Sequence, residues 1–307
     1  MSLSLLKTAL ELGLISSITV LALFLSYSML NVCDLSTDGC FTLGASVGAI
    51  VALGGYPYLS IAAAMCAGIL SGFITGILQT KMGVDSLLAG IVVNTGLYSV
   101  NIAIMGGASL LNMNKTETVF TRLDSALSGG PMEEYSKLIV ILIAVVLVCV
   151  FQHFFLRTRI GLAIRATGNN PDMVRSSSIN PVMTTIVGLC VANAFTGLSG
   201  CLMAQYQKSA NIDIGTGMVT VALASLLIGN VFFLHKSIPV RIAGTLLGSF
   251  IFRLVYTVAL RFKMPAYMLK LISSVIVILA ISGPYLKSRM PLIVRTMKVR
   301  KEGRGNA

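Results

Sequence analysis

Three ionisable side chains, Glu11, Arg253 and Lys270, stand inside stretches that are otherwise apolar. A proton-driven pump threads Asp, Glu or His through hydrocarbon as a relay, and three isolated groups in distant parts of the chain make none. The histidines, His153 and His235, are far apart, and neither H-E-x-x-H nor Cys-x-x-Cys spacing occurs, so no metal ligand set is expected. Cysteines at 33, 40, 66, 149, 190 and 201 are scattered and read as small packing residues. A P-loop needs Gly-Lys followed by Ser or Thr; the chain contains no Gly-Lys dipeptide. With no paired catalytic groups either, the chain is not expected to be an enzyme and should not hydrolyse ATP on its own.

The polar chemistry that remains is uncharged and patterned. Asn94, Tyr98 and Asn101 fall at i, i+4 and i+7, one stripe on one helical face. Asn193 with Thr196, and Ser225 with Asn230, place polar groups in two later apolar segments. Amides in hydrocarbon must face other helices or a wet cavity. They either line a substrate path or serve as hydrogen bonds that hold the bundle together. Residues 31–45 break the apolar pattern with Asp34, Ser36, Asp38 and Gly39, a composition suited to irregular backbone near helix ends that can meet a substrate. Asp213-Ile-Gly-Thr216 faintly echoes Asp34-Leu-Ser-Thr37, and alternation of segments places the two on opposite sides of a membrane, as in an inverted repeat.

These groups are carried on a chain of 307 residues with 55% hydrophobic and 11% charged residues and a mean hydropathy of +0.88. A soluble domain carries about 25% charge; this chain must use lipid as much of its solvent. Nine apolar segments are expected, near 8–30, 39–53, 58–79, 86–106, 138–156, 182–203, 216–234, 242–260 and 266–286. Runs of this length suit helices rather than the alternating strands of a barrel. The expected fold class is all-α, a polytopic membrane helix bundle of eight or nine crossings forming a single domain over 1–307. The 39–53 segment is short and Gly-rich and is expected as a half-helix. No cleavable signal peptide is evident, since only Lys7 precedes the first segment and no A-x-A-like site follows it.

Orientation follows from Lys and Arg placement. A cytoplasmic C-terminus puts the tail 287–307, with seven basic residues, on the same side as Arg157, Arg159, Arg165 and Arg175, Lys236 and Arg241, and Lys81. Nine crossings then place the N-terminus outside. The net charge of +12 is accounted for by this bias, and no aromatic-interleaved basic patch speaks for nucleic acid. Four-residue Gly spacings at 44 and 48, at 68, 72 and 76, and at 244 and 248 let helices approach closely.

The loop 157–181 is long for a connection between adjacent helices. Asn170 is an N-cap, Pro171 suits the first helical position, Asp172 favours the positive helix end, and Pro181 blocks extension, which predicts a short helix near 171–178. Gly161 and Gly168 bracket a second amphipathic piece with Ile160, Leu162, Ile164 and Arg165. Two short helices on one side suggest a docking surface for a soluble partner.

The run T-R-x-G-x-A-I-R-A-T-G-x-N-P at 158–171, with D-L-S-T-D-G at 34–39 and Gly44-Ala45, resembles the permease subunits of bacterial ABC importers of the branched-chain amino acid and ribose class. Residues 81–99 look closer to a branch associated with tryptophan or tyrosine uptake. The resemblance implies an importer in the bacterial cytoplasmic membrane, with a separate ABC ATPase subunit that binds ATP and Mg, an extracytoplasmic substrate-binding protein, and a second permease copy as a homodimer; the chain itself would hold no cofactor. It implies that Arg165, Ala166, Gly168, Asn169, Asn170 and Pro171 couple to the ATPase. Asp34, Ser36, Asn94, Tyr98, Asn101 and Asn193 are the expected translocation path, for a small polar solute such as an amino acid. A self-contained secondary carrier or channel is the competing reading; it expects more intramembrane charge than this chain has.

Overall fold

Among the described residues of the computed structural model, six helices are long and apolar enough to cross a bilayer, and two shorter apolar ones accompany them. The structure describes residues 3–127, 135–233 and 237–261, with five helical positions beyond, at 271, 274, 275, 278 and 282. In chain order, α1 (Leu3–Leu23) widens into a π-helical turn at Phe24–Met29, and α2 (Thr37–Leu53), α3 (Pro57–Thr80) and α4 (Ser86–Ile104) follow. β1 (Leu110–Asn112) and α5 (Val119–Leu127) lead into α6 (Ser136–Phe155), and α7 (Arg159–Asn169) and α8 (Pro171–Ser176) lead into α9 (Pro181–Gln207). β2 (Ser209–Asn211), α10 (Met218–Phe233) and α11 (Ile238–Arg261) follow. Eight of the nine expected apolar segments are helices here; the remainder of the ninth and the tail 287–307 lie outside the described residues.

Helix α9 is the axis. Its side chains are buried nearly all round, as in α1, which is how a helix without an amphipathic pattern behaves at the centre of a bundle. Lipid supplies no hydrophobic drive between helices, so contact rests on close backbone approach. A Cβ on Gly72 would stand 2.5 Å from the Leu189 carbonyl oxygen; Gly68 meets the Asn193 carbonyl and Gly76 meets Ile186. The falling α9 numbers make α3 antiparallel to α9. Gly44 against Gly197 and Gly48 against Cys201 make α2 parallel to it. All three Gly series read from the sequence are therefore seams, the third joining α10 to α11 through Gly248 at Ser225, with Gly229 packed against Gly244.

Asn193 lies halfway along α9, and its Nδ2 donates to Asp34 Oδ2 at 2.8 Å. Residues 30–36 thus carry the chain back from the end of α1 to mid-depth, where α2 begins. Asn31, at φ 57° in the left-handed region that Asn tolerates, turns the chain there. Helix α2 ends at the opposite face, where Ala52 clusters with Met113 and Ala210 beside the antiparallel pair of β1 and β2. Residues 212–217 mirror this from the other face, and α10 also begins at mid-depth. A long helix, a half-helix and a long helix (α1 to α3) recur inverted as α9 to α11, since Ser199 of α9 donates to the Ile15 carbonyl and Tyr206 to Glu11 of antiparallel α1. The echo of Asp34-Leu-Ser-Thr37 in Asp213-Ile-Gly-Thr216 precedes the two half-helices, but the segments meet near the centre instead of lying on opposite faces.

The seams set one expectation. Gly72→Val should lower stability by about 1–3 kcal/mol through overpacking, whereas Gly96→Ala, with nothing within 4 Å of its Cβ, should be neutral or gain about 0.5–1 kcal/mol of helix propensity. Thermal melting of the purified chain in detergent reads both; equal losses would contradict the seam.

Candidate functional site

Two half-helices whose N-termini meet inside a bundle bring together unpaired N–H groups and two positive dipole ends. Asp34 turns inward at the first of these ends: Oδ1 accepts from Ser36 N at 2.8 Å and Ser36 Oγ at 2.6 Å, and Thr37 Oγ1 donates to the Asp34 carbonyl. Asp38, in the first turn of α2, reaches across to α10. Its Oδ2 accepts from Gly217 N at 2.9 Å and its Oδ1 from Val219 N at 2.8 Å. Thr42, one turn on, accepts from Gly215 N at 3.2 Å. Gly217 has φ +85°, which only glycine adopts freely. One carboxylate thus caps the opposing half-helix while standing in the first turn of its own. The helix ends that the sequence suggested could meet a substrate are already occupied by carboxylates of the chain.

Beside this junction lies a polar cavity of about 300 Å³. Asp38, Gly39 and Thr42 of α2 form one wall, Asn94, Thr95 and Tyr98 of α4 another, and Ile212, Asp213 and Thr216 the third. Asn94 approaches α2 so closely that a Cβ on Gly39 would be 2.6 Å from its Oδ1. The exposed Asp213 has its backbone N–H on Asn211 Oδ1 and its carboxylate at the cavity. Asp38 is committed to backbone N–H groups, so Asp213 is the other carboxylate of the wall, beside the Asn94 amide and the Tyr98 and Thr216 hydroxyls, which can donate as well as accept. Such a wall suits a solute with ammonium or hydroxyl donors.

The structure divides the sequence-derived path residues. Asn94 and Tyr98 line the cavity. Asn101 is buried below it, its Nδ2 donating to the Gly39 carbonyl at 3.2 Å. Asp34, Ser36 and Asn193 form a buried, mutually bonded cluster, joined by Thr75, whose hydroxyl donates to Ser36 Oγ at 3.4 Å. Asp38, Thr42, Thr95, Asp213 and Thr216 were not singled out as path residues. The four-residue step from Asp34 to Asp38 and the echo at Asp213 were the available signals. Arg253 stands apart from the cavity, its stem against Gly13 and its guanidinium 5.2 Å from the Tyr256 ring centroid.

At the opposite end from the β-strands, Asn170 Oδ1 accepts from Asp172 N and Met173 N, both at 3.0 Å, so α8 is capped as the sequence predicts and ends at Ser176. Gly161 and Gly168 lie inside α7 rather than bracketing it. Gly161 packs on Phe155 and Leu156 at the end of α6, and Gly168 on Met29 and Leu30, where any side chain would strike backbone. Ile164 and Val174 are buried, and Thr167 Oγ1 meets Thr184 Oγ1 at 2.8 Å. Among the six expected coupling residues, Arg165, Ala166 and Gly168 are half-buried, while Asn169, Asn170 and Pro171 are exposed. Ile160, Leu162 and Met173 are each 52% exposed on the outer surface of this pair of short helices.

Asp38 carries a quantitative expectation. Asp38→Ala removes a charged acceptor from two part-buried N–H groups and should cost about 2–3 kcal/mol; Asp38→Asn, which keeps one accepting oxygen, should cost clearly less. Melting in detergent compares the two, and equal losses would show that the cap is not the source.

Comparison with known proteins now adds to the geometry. Residues 5–281 match the family described as branched-chain amino acid transport system / permease component. The tyrosine transport system permease protein of Clostridioides difficile is 32% identical over 268 residues, covering 87% of this chain and 86% of its own length. The ribose import permease protein of Escherichia coli is 26% identical over 253 residues, 81% of this chain and 75% of its own. The nucleoside ABC transporter permease protein of Lactococcus lactis is 30% identical over 175 residues, 52% of this chain and 48% of its own. No solved structure gives a significant match.

Proposed function

The chain belongs to the family of branched-chain amino acid transport system permease components, a multi-pass membrane subunit of an ABC transporter and not an enzyme, and from that premise we propose that it forms the translocation path of an amino acid importer. The observation that carries the proposal is Asp213 in the wall of the polar cavity at the junction of α2 and α10. An amino acid presents an ammonium group to Asp213 and Asn94, and the aromatic Tyr98 stands beside them. The tyrosine-transport relative supports this class; the ribose relative makes a polyhydroxyl solute the comparison to test.

In this reading an ABC ATPase binds ATP and Mg and docks on α7 and α8, where Leu162 and Met173 offer apolar contact and Asn169 to Pro171 stand exposed. Gly168 faces the bundle instead, against Met29 and Leu30. Leu30 is four residues from Asp34, so displacement of the docked helices has a short covalent route to the half-helix junction. Closure of the ATPase pair would switch the junction between two packings, a rigid-body change driven by differential contacts. A binding protein delivers solute at the β-strand face, and a second copy completes the permease. The docking face is cytoplasmic, with the C-terminus inside and the N-terminus outside, following the Lys and Arg bias.

Two measurements test this. Leu162→Asp with Met173→Asp, both exposed, should leave the chain folded yet remove a co-purifying P-loop ATPase and its ATP hydrolysis from the eluate. A native chain that emerges alone and moves solute in ATP-free vesicles would instead establish a carrier or channel. In vesicles holding the complete importer, Asp213→Asn should lower amino acid uptake about tenfold, the loss of one charged hydrogen bond; unchanged amino acid uptake beside reduced ribose uptake would move the solute to the sugar class.

A further inference from the structure

A second cavity, about 820 Å³, is an apolar groove between α3 and α6, floored by α9. Ile69 and Phe73 wall it on one side, Ile143 and Leu147 on the other. Along α9 it runs from Met183 to Leu202, about 28 Å at the helical rise, which is close to the thickness of a bilayer's hydrocarbon core. The inverted repeat explains its place. Helix α6 lies between the repeats and packs against α1 and α11, whose inverted counterparts are α9 and α3. The position related to α6 by the repeat is therefore beside α9 and α3, where the groove lies, and no helix among the described residues fills it.

A partner helix and lipid chains are both apolar occupants, and the lining distinguishes them. Helix seams in this protein run on glycine, at Gly44, Gly68, Gly72 and Gly248, whereas the groove has no glycine, serine or threonine and is lined mostly by Ile, Leu, Met, Phe and Val, with Ala144, Ala194 and Cys190 as its small residues. Long, rotamer-rich side chains conform to mobile acyl chains better than to a close-packed helix. The groove's cation is Lys81, at the end of α3 and on the side of α7 and α8. Lys81 makes no ion pair among the described residues, and Asp85 is turned to Leu87 N at 2.9 Å. We propose that this groove is a phospholipid site in which Lys81 holds the phosphate of an anionic lipid whose acyl chains lie between α3 and α6.

The test is native mass spectrometry of the full-length chain extracted from vesicles of equal phosphatidylglycerol and phosphatidylcholine. Retention of phosphatidylglycerol over phosphatidylcholine is expected, and Lys81→Gln should reduce it about fivefold, the factor for one basic residue at an anionic surface. A photoreactive phosphatidylglycerol should label α3 and α6 at residues facing the groove. Equal retention of the two lipids, untouched by Lys81→Gln, would overturn the proposal. So would cross-linking from Ile69→Cys and Leu147→Cys to a second copy or to a separate membrane-spanning chain, which would make the occupant a helix.

Discussion

A backbone that stops being helical halfway across a bilayer exposes N–H and C=O groups where water does not reach, and the centre of this protein is organised by how those groups are satisfied. Two helices start there, from opposite directions. Asp34 and Asp38 answer their positive ends, the first by closing a turn through Ser36 and accepting from Asn193, the second by capping α10 from the first turn of α2. The pair of carboxylates neutralises the helix ends and ties two halves of an inverted repeat to one central helix. Replacing that arrangement by continuous helices would satisfy the backbone more simply, but it would remove the polar cavity that the interruption creates.

Packing around the junction depends on small residues. Gly39 admits Asn94, Gly44 and Gly200 admit α9 and α2 to each other, and Gly68 and Gly72 admit α3. Because lipid competes equally for apolar side chains, these approaches rather than hydrophobicity give the bundle its specificity. The groove over α9 shows the contrast: where glycine is missing, α3 and α6 stand apart and the space between them is apolar and open.

The same economy of contact links α7 and α8 to the interior. Gly168 touches the end of α1 just where its π turn gives way to the returning segment, and four residues later the chain enters the Asp34 cluster. Helices α7 and α8 are therefore rigid neighbours of the junction and not a loose loop, since Ile164, Thr167 and Val174 anchor both short helices to the ends of the bundle.

Much was legible in the amino-acid order alone. Charge depletion and segment length determined an all-α membrane bundle, because hydrocarbon forbids charge and unsatisfied backbone alike. Asn170 and Pro171 determined α8, because capping is local. The Gly series announced the seams, because close approach needs small residues wherever partners lie. Tertiary structure alone decided which groups meet. Asn94 and Tyr98 reach a cavity while Asn101, on the same stripe, bonds to the α2 backbone, because neighbouring helices start and stop at different depths. Gly161 and Gly168, read as helix ends, are interior contacts, because a glycine that permits a turn and one that permits an approach look identical in sequence. Asp38 caps a helix 179 residues away, and only the inverted return of the chain to mid-depth makes that distance 2.9 Å.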